Sequence, residues 1–204
     1  MSVLRTLQYE KLAHCHFPGK TLDIGGGDHA DYHNIVKFTQ YESINIDPEI
    51  KPTWVIGVDD AFPVADQSYD TVLSLNTFEH IYDVHNVIRE IWRALKPGGE
   101  FIASVPFLYP IHGHPNDFFR PTPGWWNESL KAAGFNSIEI EPLAWGPFST
   151  GLSCSGMPGP FKRARLHISL LMDVFYTRVR RERSQSNGVL TFSVGFFVKA
   201  KKPT

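Results

Sequence analysis

The sequence predicts an α/β protein built on a mostly parallel sheet with helices on both sides. Three observations carry this prediction. Short β-branched and leucine-rich runs ("TLDI", "SINID", "DTVLSL", "EFIASVP") alternate with segments of helical periodicity. A run of three glycines, Gly25-Gly26-Gly27, directly follows the first of these runs, where a strand turns towards a helix. The last two strand candidates, "SIEIEP" and "LTFSVGFFVKA", have no crossover helix packed tightly between them, which favours an antiparallel pair at one edge.

Taken in chain order, residues 3–16 form a helix, because Val3, Leu4, Leu7 and Leu12 share a face. "FPGK" breaks the chain and leads into the "TLDI" strand. "DYHNIVKF" is expected to be helical, "SINID" a strand and "TWVIG" another short apolar run. "DTVLSL" has the composition of a strand buried on both faces. The strongest helix lies between Asp83 and Lys96. Val84, Val87, Ile88, Ile91 and Leu95 recur at three and four, Asp83 caps it and "KPGG" stops it. After the "EFIASVP" strand, Thr122 and Pro123 read as an N-cap and a first-turn proline, opening a helix that ends at Gly134. The expected organisation is a single domain, 1–204. It comprises an N-terminal helix (1–19), a core (20–145), an insertion (146–188) and a last strand with its tail (189–204). The insertion reads as a Gly/Pro/Ser-rich loop followed by a basic amphipathic helix. Its stripe of Ile168, Leu171, Phe175 and Val179 is expected to pack on the domain.

A chain of 204 residues has ample material for one core, and 42% hydrophobic with 20% charged residues is an ordinary soluble composition. A formal net charge of -1 gives no global electrostatic case for nucleic acid binding. Cys15 and Cys154 fit neither a disulfide framework nor a zinc knuckle. The N-terminus lacks the apolar run of a signal peptide, and no segment approaches the roughly 20 apolar residues that span a bilayer. A soluble, cytoplasmic protein is the expectation.

Gly25-x-Gly27-x-x-Ala30 fits a dinucleotide fingerprint, with Asp47 about 20 residues further on where a ribose-binding acid belongs. A purely structural turn is the competing reading. Asp23, two residues before the first glycine, shifts the balance. An acid there repels a pyrophosphate and suits a ligand carrying a sulfonium and an ammonium group. "LDIGGGD", "INIDPE", "FPVADQSYDTVLSLNTFEHIYD" and "REIWRALKPGGEFIASVPF" together, over roughly residues 20–107, resemble the class I S-adenosylmethionine-dependent methyltransferases.

The resemblance implies a doubly wound, Rossmann-like, seven-stranded sheet with an antiparallel last strand. It implies S-adenosyl-L-methionine across the carboxyl ends of the first strands. The Gly25, Gly26 and Gly27 backbone would pass under the methionine part, with Asp23 near its amino group. Asp47 would accept from both ribose hydroxyls, and Pro48 would shape the adenine slot. Asp59 or Asp60 would reach the adenine, with a solvated, aspartate-capped turn as the alternative. Leu75 and Asn76 would line the methionine side. Glu79-His80 resembles a dipeptide of this branch, with His80 orienting the loop or touching the acceptor.

The stretch "VPFLYPIHGHPNDFFRPTP" leaves the fifth strand at the same edge and reads as the acceptor-side wall. Methyl transfer from a sulfonium is an in-line displacement. It rests on positioning and on removing a proton from a weakly nucleophilic acceptor. His112 and His114 are the candidate bases, and Asp117 would orient one of them. Arg120 would bind an anionic acceptor or pair with Asp117. Phe118, Phe119, Trp125 and Trp126 would exclude water or stack on a ring. The loop's H-x-P-x-D-F-x-R-x-T pattern resembles methyltransferases of sugars and surface polysaccharides. A magnesium site from His-x-His plus aspartate is the weaker reading, because magnesium prefers oxygen ligands; no metal is expected. A braced surface loop, with Asp117 and Arg120 paired, is the bland alternative.

The expected activity is methyl transfer from S-adenosylmethionine to a small or sugar-like acceptor, on oxygen. The alternatives are a catalytically silent cofactor-binding subunit and an NAD-dependent oxidoreductase. The basic helix over 162–183 is also a candidate for peripheral contact with anionic membrane or for a homodimer interface.

Overall fold

Seven strands form one sheet in the order β3-β2-β1-β4-β5-β7-β6. They are β1 (Phe17–Ile24), β2 (Phe38–Asn45), β3 (Trp54–Val55), β4 (Tyr69–Leu75), β5 (Leu95–Pro106), β6 (Asn136–Leu143) and β7 (Gly195–Lys201). The computed structural model describes residues 2–28, 30–58, 60–113, 116–156, 160–181 and 192–204. β1 pairs in parallel with β2 and β4, β2 with β3, and β4 with β5. β7 is antiparallel to both β5 and β6, the edge pairing the sequence predicts, although two helices lie between β6 and β7 in the chain. From β1 the chain winds outward to β2 and β3, then returns to lay β4 on the other side of β1. The carboxyl ends of β1 and β4 therefore flank the point where the winding reverses, the usual place for a ligand crevice.

The strand alternation divides the core in two. Val72 of β4 and Phe101 of β5 point to one face, where they meet Ile88, Ile91, Trp126 and Leu130. Their neighbours Leu73 and Ile102 point to the other and meet Val3, Leu4, Leu7 and Leu12. The first face is covered by α2 (Val84–Ala94) and α3 (Pro123–Ala132), the second by α1 (Val3–Leu12). Asp83 caps α2 by accepting from the Asn86 N–H at 3.1 Å, and Thr122 caps α3 by accepting from the Trp125 N–H at 3.2 Å. Trp126, fully buried between Phe78 and Phe101, belongs to this core, so it does not serve the acceptor wall as the sequence suggested.

Four expectations need correction. "DYHNIVKF" is not a helix but a single 3₁₀ turn, Asp31–Asn34. Tyr32 is drawn onto buried Asp23, and the β-branched Ile35 and Val36 add little helix propensity to hold the segment otherwise. "FPGK" does not break the chain before the strand. It forms the start of β1, with a register irregularity between Phe17 and Lys20 and Gly19 at φ 73°. The loop expected after residue 146 contains α4 (Pro147–Cys154). Its first N–H groups are satisfied from another helix: the Asp173 carboxylate accepts from Phe148 N–H at 2.8 Å and Ser149 N–H at 3.0 Å.

The fourth correction concerns α5 (Lys162–Arg181), which carries that aspartate. It buries its polar side, Ser169 and Asp173, and turns Ile168, Leu171, Phe175 and Val179 outward, with Phe175 72% exposed. A buried carboxylate with two N–H partners fixes the helix rotation against the preference of its apolar stripe. Among the described residues no helix is long and apolar enough to cross a membrane. Residues 182–188 of the insertion and 189–191 of the last-strand segment lie outside the described residues.

Candidate active site

The glycine run ends β1 at the reversal point. Gly25 has φ 86°, and a Cβ there would lie 2.0 Å from the Thr77 hydroxyl oxygen, so only glycine fits. A Cβ on Gly26 would lie 2.0 Å from Asp23 Oδ2, and one on Gly27 2.3 Å from the Ile50 carbonyl oxygen. The backbone thus runs flush against its surroundings and leaves a cleft of about 350 Å³ above it. Gly25–Gly27, Arg5 and Tyr9 of α1, Tyr32, Ile50, Leu75 and Asn76 line this cleft.

Asp23 does not line the cleft. It lies behind Gly26, 1% exposed, and its Oδ2 accepts from the hydroxyls of Tyr32 and Tyr41, the latter at 2.8 Å. Burial pushes its carboxyl up to about 6 despite these two hydrogen bonds. Its Oδ1 is buried with no hydrogen-bond partner among the described residues. Asp47 and Pro48 stand at the end of β2, where Asp47 Oδ1 accepts from the Glu49 N–H at 2.9 Å. The 3₁₀ turn they start, Pro48–Ile50, delivers Ile50 to the cleft. Asp60 is exposed and accepts from the Gly57 N–H at 2.7 Å, the capped-turn alternative weighed above. Asp59 lies outside the described residues.

Asn76 ends β4 in the left-handed region, φ 53°, which asparagine tolerates better than most residues. Its side-chain amide exchanges two hydrogen bonds with Gln8 of α1, at 2.6 and 3.0 Å, and Gln8 also donates to Ser104 Oγ at 2.9 Å. α1 is thereby bolted over the carboxyl edge of β4 and β5. Sequence reading found this helix from its apolar face but missed its polar one. A glutamine among Leu4, Leu7 and Leu12 was the available signal.

Beyond Asn76 a 3₁₀ turn, Phe78–His80, carries Glu79 and His80 under the loop that leaves β5. The Phe118 N–H donates to the Glu79 carbonyl at 2.7 Å and pins the loop to the turn. Asp117 braces the loop: it accepts from the His112 N–H at 3.0 Å and pairs with both terminal nitrogens of Arg120. The Arg120 guanidinium holds the Asp117 carboxyl below the usual carboxylate range. His112 Nδ1 lies 3.2 Å from the Pro110 carbonyl and 3.5 Å from Asp117 Oδ2. His80 Nδ1 contacts the Asn116 carbonyl. The Nε2 atoms of both histidines turn towards Glu79 Oε1, at 3.8 Å from His80 and 3.9 Å from His112.

Glu79 is fully buried, burial pushes its carboxyl up to about 7, and neither oxygen has a hydrogen-bond partner among the described residues. Glu79, His80 and His112 are close enough to share one ion, a different set from the His-x-His plus aspartate weighed in the sequence. Phe119 and Trp125 pack on each other and against the core, and Phe118 stacks edge-on to Tyr82 at the surface. His114 lies outside the described residues.

Residues 22–103 match the family described as "Methyltransferase domain". The sarcosine/dimethylglycine N-methyltransferase of Halorhodospira halochloris is 33% identical over 96 residues, 41% of this chain and 34% of that protein. A probable S-adenosylmethionine-dependent methyltransferase of Mycolicibacterium smegmatis is 39% identical over 44 residues, 22% of this chain and 17% of its own length. The chain thus spans about a third of the length of the first of these curated relatives and less of the second. Phosphoethanolamine N-methyltransferase 2 of Haemonchus contortus, solved with S-adenosyl-L-methionine, superposes with a TM-score of 0.62 at 16% identity, covering 98% of this chain and 52% of that one. Residues 22–103 thus match a methyltransferase domain, and the strand order 3-2-1-4-5-7-6 with an antiparallel β7 is that of the α/β methyltransferase fold.

Proposed function

We propose that the protein transfers a methyl group from S-adenosylmethionine to a small-molecule acceptor held over the carboxyl ends of β4 and β5. One observation carries the reading: the glycine-floored cleft and the Glu79–His112–Asp117 cluster open on the same sheet edge, joined through the short link from Asn76 to Glu79. The residues fit the cofactor. The Gly25–Gly27 backbone, bare of side chains, lines the cleft, and the orphaned Oδ1 of buried Asp23 puts an acid behind it.

When bound, the cofactor supplies an electrophilic methyl on a sulfonium, whose departure needs no protonation. The protein's own residues bind and orient. Asp23, set behind the loop, would favour the ammonium end, and Arg5, which pairs with Asp31 at 3.9 Å on the same cleft, would hold the carboxylate end. Asp47 has Oδ1 engaged in its turn and offers Oδ2 to the ribose diol. Leu75 and Asn76 line the methionine side, and α1 covers it. On the acceptor side His112 is the described candidate for proton removal. Asp117 and the Pro110 carbonyl orient its Nδ1, and Arg120 locks Asp117 in place.

The relatives named above act, by their names, on sarcosine/dimethylglycine and phosphoethanolamine. For this chain we favour a hydroxyl of a sugar-like molecule, because a neutral hydroxyl needs the proton acceptor that this loop brings to the edge.

The test is transfer of radiolabelled methyl from S-adenosylmethionine to fractions of a small-molecule extract, with calorimetry against S-adenosylhomocysteine and NAD. The reading expects S-adenosylhomocysteine binding, no NAD binding and a labelled small molecule. Tight binding without transfer to any fraction would instead indicate a silent cofactor-binding subunit.

A further inference from the structure

We propose that Glu79, His80 and His112 form a binding site for one divalent transition-metal cation of the zinc or manganese class on the acceptor side of the cleft. The inference takes its role from the methyltransferase reading, but its existence is tested independently. Three donor atoms converge there from two segments: the Glu79 carboxylate and the Nε2 atoms of His80 and His112. Both imidazoles are oriented in the same way. Nδ1 of His80 meets the Asn116 carbonyl and Nδ1 of His112 the Pro110 carbonyl, so in each ring the proton belongs on Nδ1 and the lone pair on Nε2. Metal-ligating histidines are commonly held this way.

The carboxylate is the second, independent observation. Glu79 is fully buried, and both its oxygens lack a hydrogen-bond partner among the described residues. The cost of burying an unpaired carboxylate is avoided if a cation sits among these atoms. The Nε2–Oε1 separations of 3.8 and 3.9 Å exceed hydrogen-bond range. They lie within about half an ångström of the roughly 3.3 Å expected between two ligands of a tetrahedral zinc.

The donor set selects the ion. Two imidazoles and one carboxylate suit zinc, manganese or iron(II), whereas magnesium and calcium prefer oxygen cages. Three protein ligands leave coordination positions open for an oxygen or nitrogen of the acceptor. With the ion bound, Nε2 of His112 is a ligand, and its proposed part in deprotonation passes to the ion, which would lower the pKa of a coordinated acceptor hydroxyl so that its proton leaves to solvent. Asp117, which accepts from the His112 N–H, positions the ligand.

The experiment uses the untagged full chain, stripped with chelator and titrated with zinc and with manganese by calorimetry. The expected result is one ion per chain, with Glu79→Gln and His112→Gln each weakening binding by at least about tenfold. His16→Asn, an exposed histidine outside the site, should leave it unchanged. No saturable binding, or binding indifferent to both substitutions, overturns the proposal.

Because either variant could fail to fold, cobalt(II) titration of the unaltered chain gives a second reading. Ligand-field bands of a His-His-carboxylate site, displaced by zinc, support the site; only the spectrum of aqueous cobalt overturns it. A chain that binds S-adenosylhomocysteine but no ion keeps the methyltransferase reading and loses this one. A chain that binds the ion but not S-adenosylhomocysteine does the reverse.

Discussion

Tyr41 of β2 donates its hydroxyl to Asp23 of β1 across 2.8 Å, directly behind the glycine loop. Tyr32, from the 3₁₀ turn after that loop, donates to the same oxygen. The acid that the sequence placed beside the cofactor's ammonium is therefore a buried, tyrosine-clamped group. It lies behind the loop rather than on the cleft, and its second oxygen has no hydrogen-bond partner among the described residues.

A pH dependence follows from that burial. Asp23 is raised from its ordinary 3.8 to about 6 in the folded protein. Across that window the folded chain holds a proton the unfolded chain has lost, so this group's contribution to stability falls as pH rises and is gone above about 6. Cofactor binding should move the opposite way, because an ammonium nearby favours the ionised acid. Affinity for S-adenosylhomocysteine should climb between about pH 5 and about pH 7, with proton release on binding at the lower end. Calorimetry in two buffers of different ionisation heat checks it, and Asp23→Asn should flatten the dependence.

Glycine positions give a paired prediction. At Gly26 a methyl group would collide with Asp23 Oδ2 at 2.0 Å and the Tyr41 hydroxyl at 2.7 Å. Gly26→Ala should weaken cofactor binding by more than about tenfold and cost about 1–3 kcal/mol of stability. Gly151, within α4, meets nothing within 4 Å. Gly151→Ala should stabilise the chain by about 0.5–1 kcal/mol and leave cofactor affinity unchanged. Urea unfolding and calorimetry on both variants separate the two outcomes.

Much of this architecture was legible because periodicity and caps are local. α2 could be read from Val84, Val87, Ile88 and Ile91 with Asp83, and α3 from Thr122-Pro123. The glycine loop was legible because its chemistry needs consecutive residues. What escaped depends on distant segments meeting. Nothing near Glu79 says that His112 folds back over it, and nothing near Gly25 says that Arg5 and Tyr9 form the opposite wall. The stripe on α5 misled for the same reason. Its apolar periodicity was sound, but Asp173, needed by the N-terminus of α4, set the rotation.

Gln8 should couple stability to the cleft. It is fully buried, and its amide is committed to Asn76 and Ser104. Gln8→Ala strips the half-buried Asn76 amide of both its Gln8 hydrogen bonds and the Ser104 hydroxyl, which still donates to the Phe196 carbonyl, of its donor, at a cost of about 1–3 kcal/mol. It also frees the Asn76 side chain on the cleft wall, so cofactor affinity should fall along with the urea midpoint. Unchanged affinity at a reduced midpoint would separate α1's packing from its part in the cleft.

Asp117 offers the opposite separation, because it serves the acceptor loop alone. Its side chain is 4% exposed, accepts the His112 N–H and takes both terminal nitrogens of Arg120, itself only 19% exposed. Asn cannot accept at both positions, so Asp117→Asn leaves the guanidinium short of a charged partner in a nearly closed site, at a cost of about 2–4 kcal/mol. The His112 ring loses its orientation at the same time. Asp117 is not among the residues that line the cleft with Gly25–Gly27, Ile50, Leu75 and Asn76, and its hydrogen bonds run to His112 and Arg120. Turnover should therefore drop by at least about tenfold while affinity for S-adenosylhomocysteine stays within about twofold. A parallel loss of cofactor affinity would show instead that the acceptor loop and the glycine cleft are one cooperative unit, coupled through the Phe118–Glu79 hydrogen bond.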